Sequence, residues 1–297
     1  MNSLLDVVAR SQRWSRPTRL VYQNAVLRFL EFAGGALTGA AVERWRDHLL
    51  NGERLEPATV HKLLAAVRAV SRRHAALTHG PDFASPAELP KLDPWTPPSP
   101  PVLADVGALL DEAEHDRSPL GLRDRPVIRL MALTAGERVG EVCGHRNGDL
   151  VEAILSIRRK GGWTQQVQVD QDTLDALHEW IAWRGENPDD PMFIKLRRSL
   201  GDEWEASGPL TSGAVARMLA RRCRSAGIKR VIRPHDLRRF FISALLDGGA
   251  KPHETMLAAG HKSLSTTSRY VGRVDAGGVP AGTRIASMLG HSKDKGE

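Results

Sequence analysis

Eight prolines fall within the 21 residues from Pro81 to Pro101. A residue that fixes φ and carries no N–H cannot recur at that density in a helix, so the chain must run here as an extended, rather stiff connection. Structureless loops beyond about 15 residues are uncommon inside compact domains, so the stretch is expected to join two separate bodies. The length of 297 residues agrees, being above the usual single domain of about 100–150 residues. The expected division is a helical unit over residues 1–80, a linker over 81–101, a second unit over 102–273 and a tail over 274–297.

Hydrophobic periodicity gives the fold class. From Thr18 to Gly80 it is helical: Leu20, Ala25, Leu27, Phe29, Leu30 and Phe32 form one stripe, and Val42, Trp45 and Leu49 another. A third run spans Thr59 to Leu77. Pro57 suits a helix start, and Gly34-Gly35, Asn51-Gly52 and His79-Gly80 suit stops, so three or four short helices are expected. After Leu103 the pattern is again helical, with one interruption from Ala153 to Val169. There apolar and polar residues alternate on both sides of Lys160-Gly161-Gly162, the signature of a β-hairpin with a glycine turn. Helical patterns resume at Thr173–Trp183, Ser212–Ala226, His235–Leu246, Pro252–Ala259 and Ser263–Val271. The expected class is mainly α with a small β-sheet in the second domain.

Charge and cysteine usage narrow the function classes. Forty-two Lys and Arg against 35 acids give a formal charge of +7, which favours a polyanionic partner. Two distant cysteines, Cys143 and Cys223, indicate neither a disulfide framework nor a cysteine zinc site. The segment MNSLLDVVARSQRWSRP has no apolar signal core, and no later run has the length of a membrane span. A soluble, cytoplasmic protein is expected. No Gly-rich phosphate loop occurs, and the eleven histidines show no zinc-ligand spacing with cysteines or acids; Cys143 and His145 lack companions.

The densest chemistry lies in Pro234-His235-Asp236-Leu237-Arg238 and in Gly260-His261 through Arg269-Tyr270. Each element taken singly has an ordinary structural reading. His235 and Arg238, three apart, would share a helix face as a surface pair. His261 could cap a turn, and Tyr270 could fill a core with its hydroxyl bonded. Arg138 and Arg238 could be structural ion pairs with Glu141 or Asp236, and Lys160 a solvated turn lysine.

Together these residues resemble the signature of the tyrosine recombinase, or phage integrase, family: a histidine, an arginine three residues on, then Gly-His, then a tyrosine nine residues later. Gly136 to Gly144 is similar to the family segment that bears its first arginine, here Arg138, with an acidic residue, Glu141, three positions on. The family places a lysine on a hairpin turn between these regions, where Lys160 stands. The resemblance covers about Leu103 to Val271. Departures are Ala135 where threonine is common, Arg239 where histidine is common, and Ala258-Ala259 in place of a leucine pair.

The resemblance implies a compact two-domain DNA clamp, a helical core-binding domain plus a catalytic domain, without an N-terminal arm-binding domain. It implies an enzyme that cuts and rejoins DNA through a 3′-phosphotyrosyl bond to Tyr270 and a Holliday junction, with neither metal, ATP nor any other cofactor. Arg138 and Arg238 would hold the phosphate, His235 would take the tyrosine proton, Lys160 would protonate the leaving 5′-oxygen, His261 would donate to the phosphate, and Glu141 would support Arg138. Of the two tyrosines, Tyr22 lies in the apolar stripe of the first unit and reads as packing.

The implied partner is double-stranded DNA at paired sites, bound by a homotetramer that is a monomer or weak oligomer when free, with a directionality factor as a further partner. Arg10, Arg13, Arg16 and Arg19 at the entry to the first unit, and Lys62, Arg68, Arg72 and Arg73 along its last helix, are candidate phosphate contacts; a solvated helix face is the alternative for each. The tail segment Thr283–Leu289 is amphipathic and suited to docking on a neighbouring protomer. Three other readings remain open at this level: a chromosome or plasmid dimer resolvase, a type IB topoisomerase, and a non-catalytic DNA-binding regulator.

Overall fold

The computed structural model describes residues 3–92, 100–201 and 203–260. The chain divides into two compact units, Met1–Thr96 and Pro97–Glu297.

The first unit is helical. Helix α1 spans Leu4–Arg10, α2 Arg16–Ala33, α3 Gly39–Asp47 and α4 Pro57–Thr78, with a π-helical turn over His48–Gly52 after α3. Side chains of Ser3, Ser15 and Thr38 cap the first three helices by accepting backbone N–H groups that have no partner within the helix. Pro57 opens α4, and His79 closes it in the left-handed conformation at φ 53°. Helix α1 was not among the expected helices, although Leu4, Val7 and Val8 are buried in the core.

The buried face of α2 matches the expected stripe only in part. Ala25, Val26 and Phe29 are buried, whereas Leu20, Leu27 and Phe32 are exposed. The helix packs against α1, α3 and α4, and Leu30 lies partly buried against the same core. Trp45, Val42 and Leu49 are buried as their spacing requires.

The proline-rich stretch begins as part of this unit. Phe83, Ala84 and Ala87 are buried in the same core, with the Phe83 ring stacked on Phe29. The Ser71 hydroxyl, at the buried face of α4, donates to the Asp82 carboxylate at 2.5 Å and accepts the Ala84 amide at 3.1 Å. The extended chain therefore pays its ordering entropy here by burying an aromatic ring rather than by spanning free solvent.

Among the described residues, the second unit joins seven α-helices to two small antiparallel sheets. Helices α5 (Leu103–His115) and α6 (Pro119–Arg129) lead into a π-helical turn at Leu130–Thr134, all of it buried, and then into the short α7, Val139–Val142. Strands β1 (Leu150–Val151), β2 (Ile154–Arg159) and β3 (Trp163–Gln168) form the first sheet in that order, β2 pairing with β3 from Ile154↔Gln168 to Arg159↔Trp163. The expected hairpin is present, and Gly161 and Gly162 take φ of 99° and 82°, which residues with a side chain rarely adopt. Helix α8 (Gln171–Arg184) follows. The second hairpin, β4 (Ile194–Arg198) with β5 (Trp204–Pro209), was not expected from the sequence, because neither IKLRR nor WEASGP alternates cleanly. Helices α9 (Ser212–Ser225), α10 (Pro234–Asp247) and α11 (Pro252–Ala258) complete the described part.

One apolar core runs from Val106 to Ala259, with Trp180 fully buried and its indole N–H donating to the Met192 carbonyl at 2.7 Å. Beside it lies a charged cluster. Asp124, wholly buried, accepts Arg123, Arg221 and Arg222, and Arg222 also reaches Glu112 and Asp116. A buried carboxylate this deep persists because several guanidiniums offset its lost hydration. Among the described residues no helix is long and apolar enough to cross a membrane, and no group of three or more His, Cys, Asp or Glu side chains has the arrangement to hold a metal ion.

Candidate active site

Helix α10 explains how His235 and Arg238 come to one place. Pro234 occupies its first turn, and the Asp236 carboxylate accepts the Arg233 amide at 3.0 Å, fixing the helix start. The positions 235, 238, 242 and 245 lie on one stripe, and the stripe deepens along the helix: His235 is exposed at the mouth, Arg238 is 2% exposed, Ile242 and Leu245 are core. An open pocket of about 530 Å³ lies at the helix start, lined by Arg230, Val231, Arg233, His235, Asp236 and Arg239.

Arg238 fastens two distant chain segments. Its Nη1 donates to the Gly136 carbonyl and its Nη2 to the Ala259 carbonyl at 2.7 Å. The first lies two residues before Arg138; the second lies two before His261. Gly136 adopts φ 52°, and a Cβ there would fall 2.5 Å from the Phe241 ring, so only glycine fits this approach of the Arg138 segment to α10.

Arg138 precedes α7 and is held by Glu141. The Arg138 amide donates to Glu141 Oε2 and its guanidinium Nη1 to Oε1, both at 2.8 Å, with about a third of the Arg138 side chain exposed. Glu141 also pairs with Arg159, whose Nη1 lies 2.8 Å from Oε2. Burial alone would raise the Glu141 carboxyl; the Arg138 amide and then the Arg159 and Arg138 guanidiniums hold it below its ordinary value. His235 also lies below its ordinary value, through burial first, then through the positive charges of Arg239, Arg238 and Arg138, with Asp236 acting in the opposite sense. These surroundings favour the neutral imidazole of His235.

Lys160 is exposed at the first position of the hairpin turn, immediately after Arg159. His261, Tyr270, the helix expected at Ser263–Val271 and the tail over 274–297 lie outside the described residues. Of the expected phosphate contacts, Arg10, Arg13, Arg16, Lys62, Arg72 and Arg73 are exposed. Arg19 and Arg68 are partly buried and donate to the carbonyls of Ser11 at 3.1 Å and Ser85 at 3.3 Å, while Arg72 lies 3.8 Å from Asp82.

Several residues around the site had not been singled out in the sequence. Arg159 is one, and a signal for it existed: Leu155, Ile157 and Arg159 alternate along β2 on its buried face, so an arginine there must have internal partners. Gln165, which accepts Arg159 Nε at 2.8 Å, is another. Behind Arg138 the buried Glu137 carboxylate meets His145 Nε2 at 2.7 Å, with Asp149 on the other ring nitrogen at 3.7 Å. Burial would lower the His145 pKa, but Glu137 and Asp149 together raise it to about 9. Nothing in the local spacing announces that pair.

The tyrosine recombinase XerC of Myxococcus xanthus is 34% identical over 200 residues, 63% of this chain and 63% of the relative, so this chain spans just under two thirds of that relative's length. The XerC of Pelobacter propionicus is 28% identical over 266 residues, 85% of this chain and 83% of the relative. Among solved structures, XerH site-specific recombinase bound to a palindromic difH substrate superposes with a TM-score of 0.68 at 17% identity, over 90% of this chain and 80% of that one. Lambda integrase residues 75–356, a dimer on a core site, superposes at 0.67 and 18% identity, over 93% and 98%. These structures share the fold: mainly helical, with small antiparallel sheets. The model of the phage integrase family matches residues 103–276, more than half of the sequence, and the chain belongs to that family.

Proposed function

We propose that this chain is a site-specific DNA recombinase that cleaves and rejoins strands through a 3′-phosphotyrosyl bond to Tyr270. The observation that carries the reading is the way Arg238 ties the Arg138 segment, at Gly136, to the segment entering His261, at Ala259. Segments far apart in sequence, next to residues that the proposed chemistry requires together, share one anchor, which supports the reading.

In the proposed reaction the Tyr270 oxygen attacks the phosphorus, an O–P bond forms, and the bond to the 5′-oxygen breaks. Negative charge gathers on the non-bridging oxygens, where Arg138, Arg238 and His261 would donate; guanidiniums fixed before the reaction stabilise that charge without reorganising. Neutral His235 accepts the tyrosine proton, which at an unperturbed pKa near 10 must be removed for attack at neutral pH. Lys160 gives a proton to the departing 5′-oxygen. The phosphotyrosyl link preserves the bond energy, and a 5′-hydroxyl of a second strand reverses the step.

The formal charge of +7 and the exposed Arg10, Arg13, Arg16, Lys62, Arg72 and Arg73 support duplex DNA as the partner of the first unit. A tetramer on two paired sites, with the tail docking on a neighbour, is the assembly we propose; lambda integrase has been solved as a tetramer on a Holliday junction. A second errand for the same chemistry, resolution of chromosome or plasmid dimers, is favoured by the XerC relatives.

The test is covalent trapping. Genomic DNA fragments carrying nicks are incubated with the protein, and protein-linked fragments are recovered under denaturing conditions and sequenced. Wild type is expected to form an adduct at a defined site and Tyr270→Phe none; an adduct of equal yield with Tyr270→Phe removes the reading.

A further inference from the structure

The last turn of α11 ends in three successive carbonyls, and each accepts a side-chain donor from elsewhere in the second unit. Gln165 Nε2 donates to Leu257 at 2.8 Å, Arg159 Nη2 to Ala258 at 3.4 Å, and Arg238 Nη2 to Ala259 at 2.7 Å. Carbonyls at a helix end lack the partner one turn on; Leu257 also accepts the Gly260 amide at 3.0 Å, and fixed side-chain donors to three carbonyls in a row set where the chain goes next. It goes to Gly260 and then His261. Gly260 takes φ 63°, and a Cβ there would lie 2.4 Å from Arg159 Nε and 2.8 Å from Gln165 Oε1, so the chain passes directly over this pair.

Arg159 differs from Arg238 in what else it holds. Its side chain is 1% exposed, and its fork reaches Glu141 Oε2, Gln165 Oε1, and the carbonyls of Ala135 and Ala258. Glu141 is the carboxylate that orients Arg138. Arg159 also closes the hairpin, opposite Trp163, one residue before Lys160. A planar guanidinium can serve several acceptors at fixed angles, which an ammonium cannot.

We propose that Arg159 is a positioning residue for strand cleavage: through Glu141 and the Ala258–Gly260 turn it holds Arg138 and the chain entering His261 in one frame with the Lys160 hairpin. It rests on the recombinase reading above and adds a residue to it. Arg159 lies under the site, so it acts on the rate of cleavage and not on DNA affinity.

The experiment uses the full chain and the nicked duplex recovered by the trapping described above. Single-turnover adduct formation is measured at saturating DNA, alongside the Kd for the same duplex and the thermal midpoint. Arg159→Lys keeps a charge for Glu141 but loses the fork, and is expected to slow adduct formation by about ten- to a hundredfold, the scale of a small misplacement of reacting groups. Its Kd is expected to stay within about threefold of wild type, since no phosphate contact is removed. Gln165→Leu, which removes the partner of Arg159 and the cap of Leu257, is expected to show the same split. Because both act through one frame, the double variant is expected to be little slower than Arg159→Lys alone.

Wild-type rate in Arg159→Lys, a loss of affinity that accounts for the loss of rate, or effects that multiply in the double variant would each overturn the inference. Arg159→Met serves as a harsher variant; should it unfold, the lysine and Gln165→Leu results decide. The recombinase reading is judged separately, by wild type against Tyr270→Phe.

Discussion

Glu141 offers the most demanding test of the site's electrostatics. In Glu141→Gln the shape is kept and the charge removed. The two carboxylate oxygens accept three N–H donors, Arg138 Nη1 on one and Arg159 Nη1 with the Arg138 amide on the other. A glutamine NH2 must face one of those sets, donor against donor. Arg159 and Glu141 are 1% and 6% exposed, so breaking their pair strands a buried guanidinium; such losses cost about 3–5 kcal/mol, and the remaining amide oxygen places this one near 3. The Arg138 pair is a third exposed and adds only about 0.5 kcal/mol. The expected penalty is therefore about 3–4 kcal/mol at neutral pH.

The pH dependence gives the sign. A carboxylate whose folded pKa lies below its ordinary value of 4.5 stabilises the fold above that value, and the contribution fades as pH falls through the lower, folded pKa. The gap between wild type and Glu141→Gln should thus be full near neutral pH and close progressively below 4.5. Urea unfolding monitored by hydrogen exchange of the β2 and β3 amides reads the second unit apart from the first. A penalty that persists unchanged about two pH units below 4.5 would mean that charge on Glu141 does not hold the pair together.

Two further outcomes follow from neighbouring contacts. His145 has a folded pKa raised from 6.5 to about 9 by Glu137 and Asp149, so its contribution is complete below 6.5 and is lost as pH climbs through 9; His145→Gln should be penalised at pH 6 and converge on wild type above 9 in the same exchange assay, and a gap that widens with pH would contradict the pairing. Gly136→Ala should cost about 2–4 kcal/mol, from left-handed strain plus a Cβ against the Phe241 ring, and thermal unfolding of a Gly136→Ala protein at the wild-type midpoint would show that the approach to α10 is looser than described.

The parts of the fold that depend on neighbours in sequence were readable. The hairpin around Lys160 announces itself by strict alternation and two glycines, and α10 by its proline start and apolar period. The β4–β5 hairpin did not, because its strands are half exposed and irregular, with a shift in register between Ile194 and Leu196. In α2 the stripe was right in part: Ala25 and Phe29 are buried and Leu30 packs against the core, whereas Leu20, Leu27 and Phe32 are exposed. At the site, Arg138, His235 and Arg238 were singled out by their resemblance to the family signature, since each taken singly reads as an ordinary ion pair or surface contact. Glu141 stood three positions from Arg138, and Arg159 lay on a buried strand face, but what they hold was not legible, since Arg159 meets Ala258 across 99 residues of chain and Arg238 meets Gly136 across 102. Such pairings become visible only once the intervening helices have folded.

The buried π-helical turn at Leu130–Thr134 has a consequence for how this region tolerates change in length. A π turn holds one residue more than the α turn it replaces, and each residue turns a helix by about 100°. Losing a single residue from this segment would let the backbone relax into an α turn that completes the same revolution, so everything beyond it, Gly136 and Arg138 included, would keep its bearing. A one-residue deletion is thus absorbed here, whereas the same loss in the regular turns of α6 would swing Arg138 and Glu141 together by about 100° relative to α10.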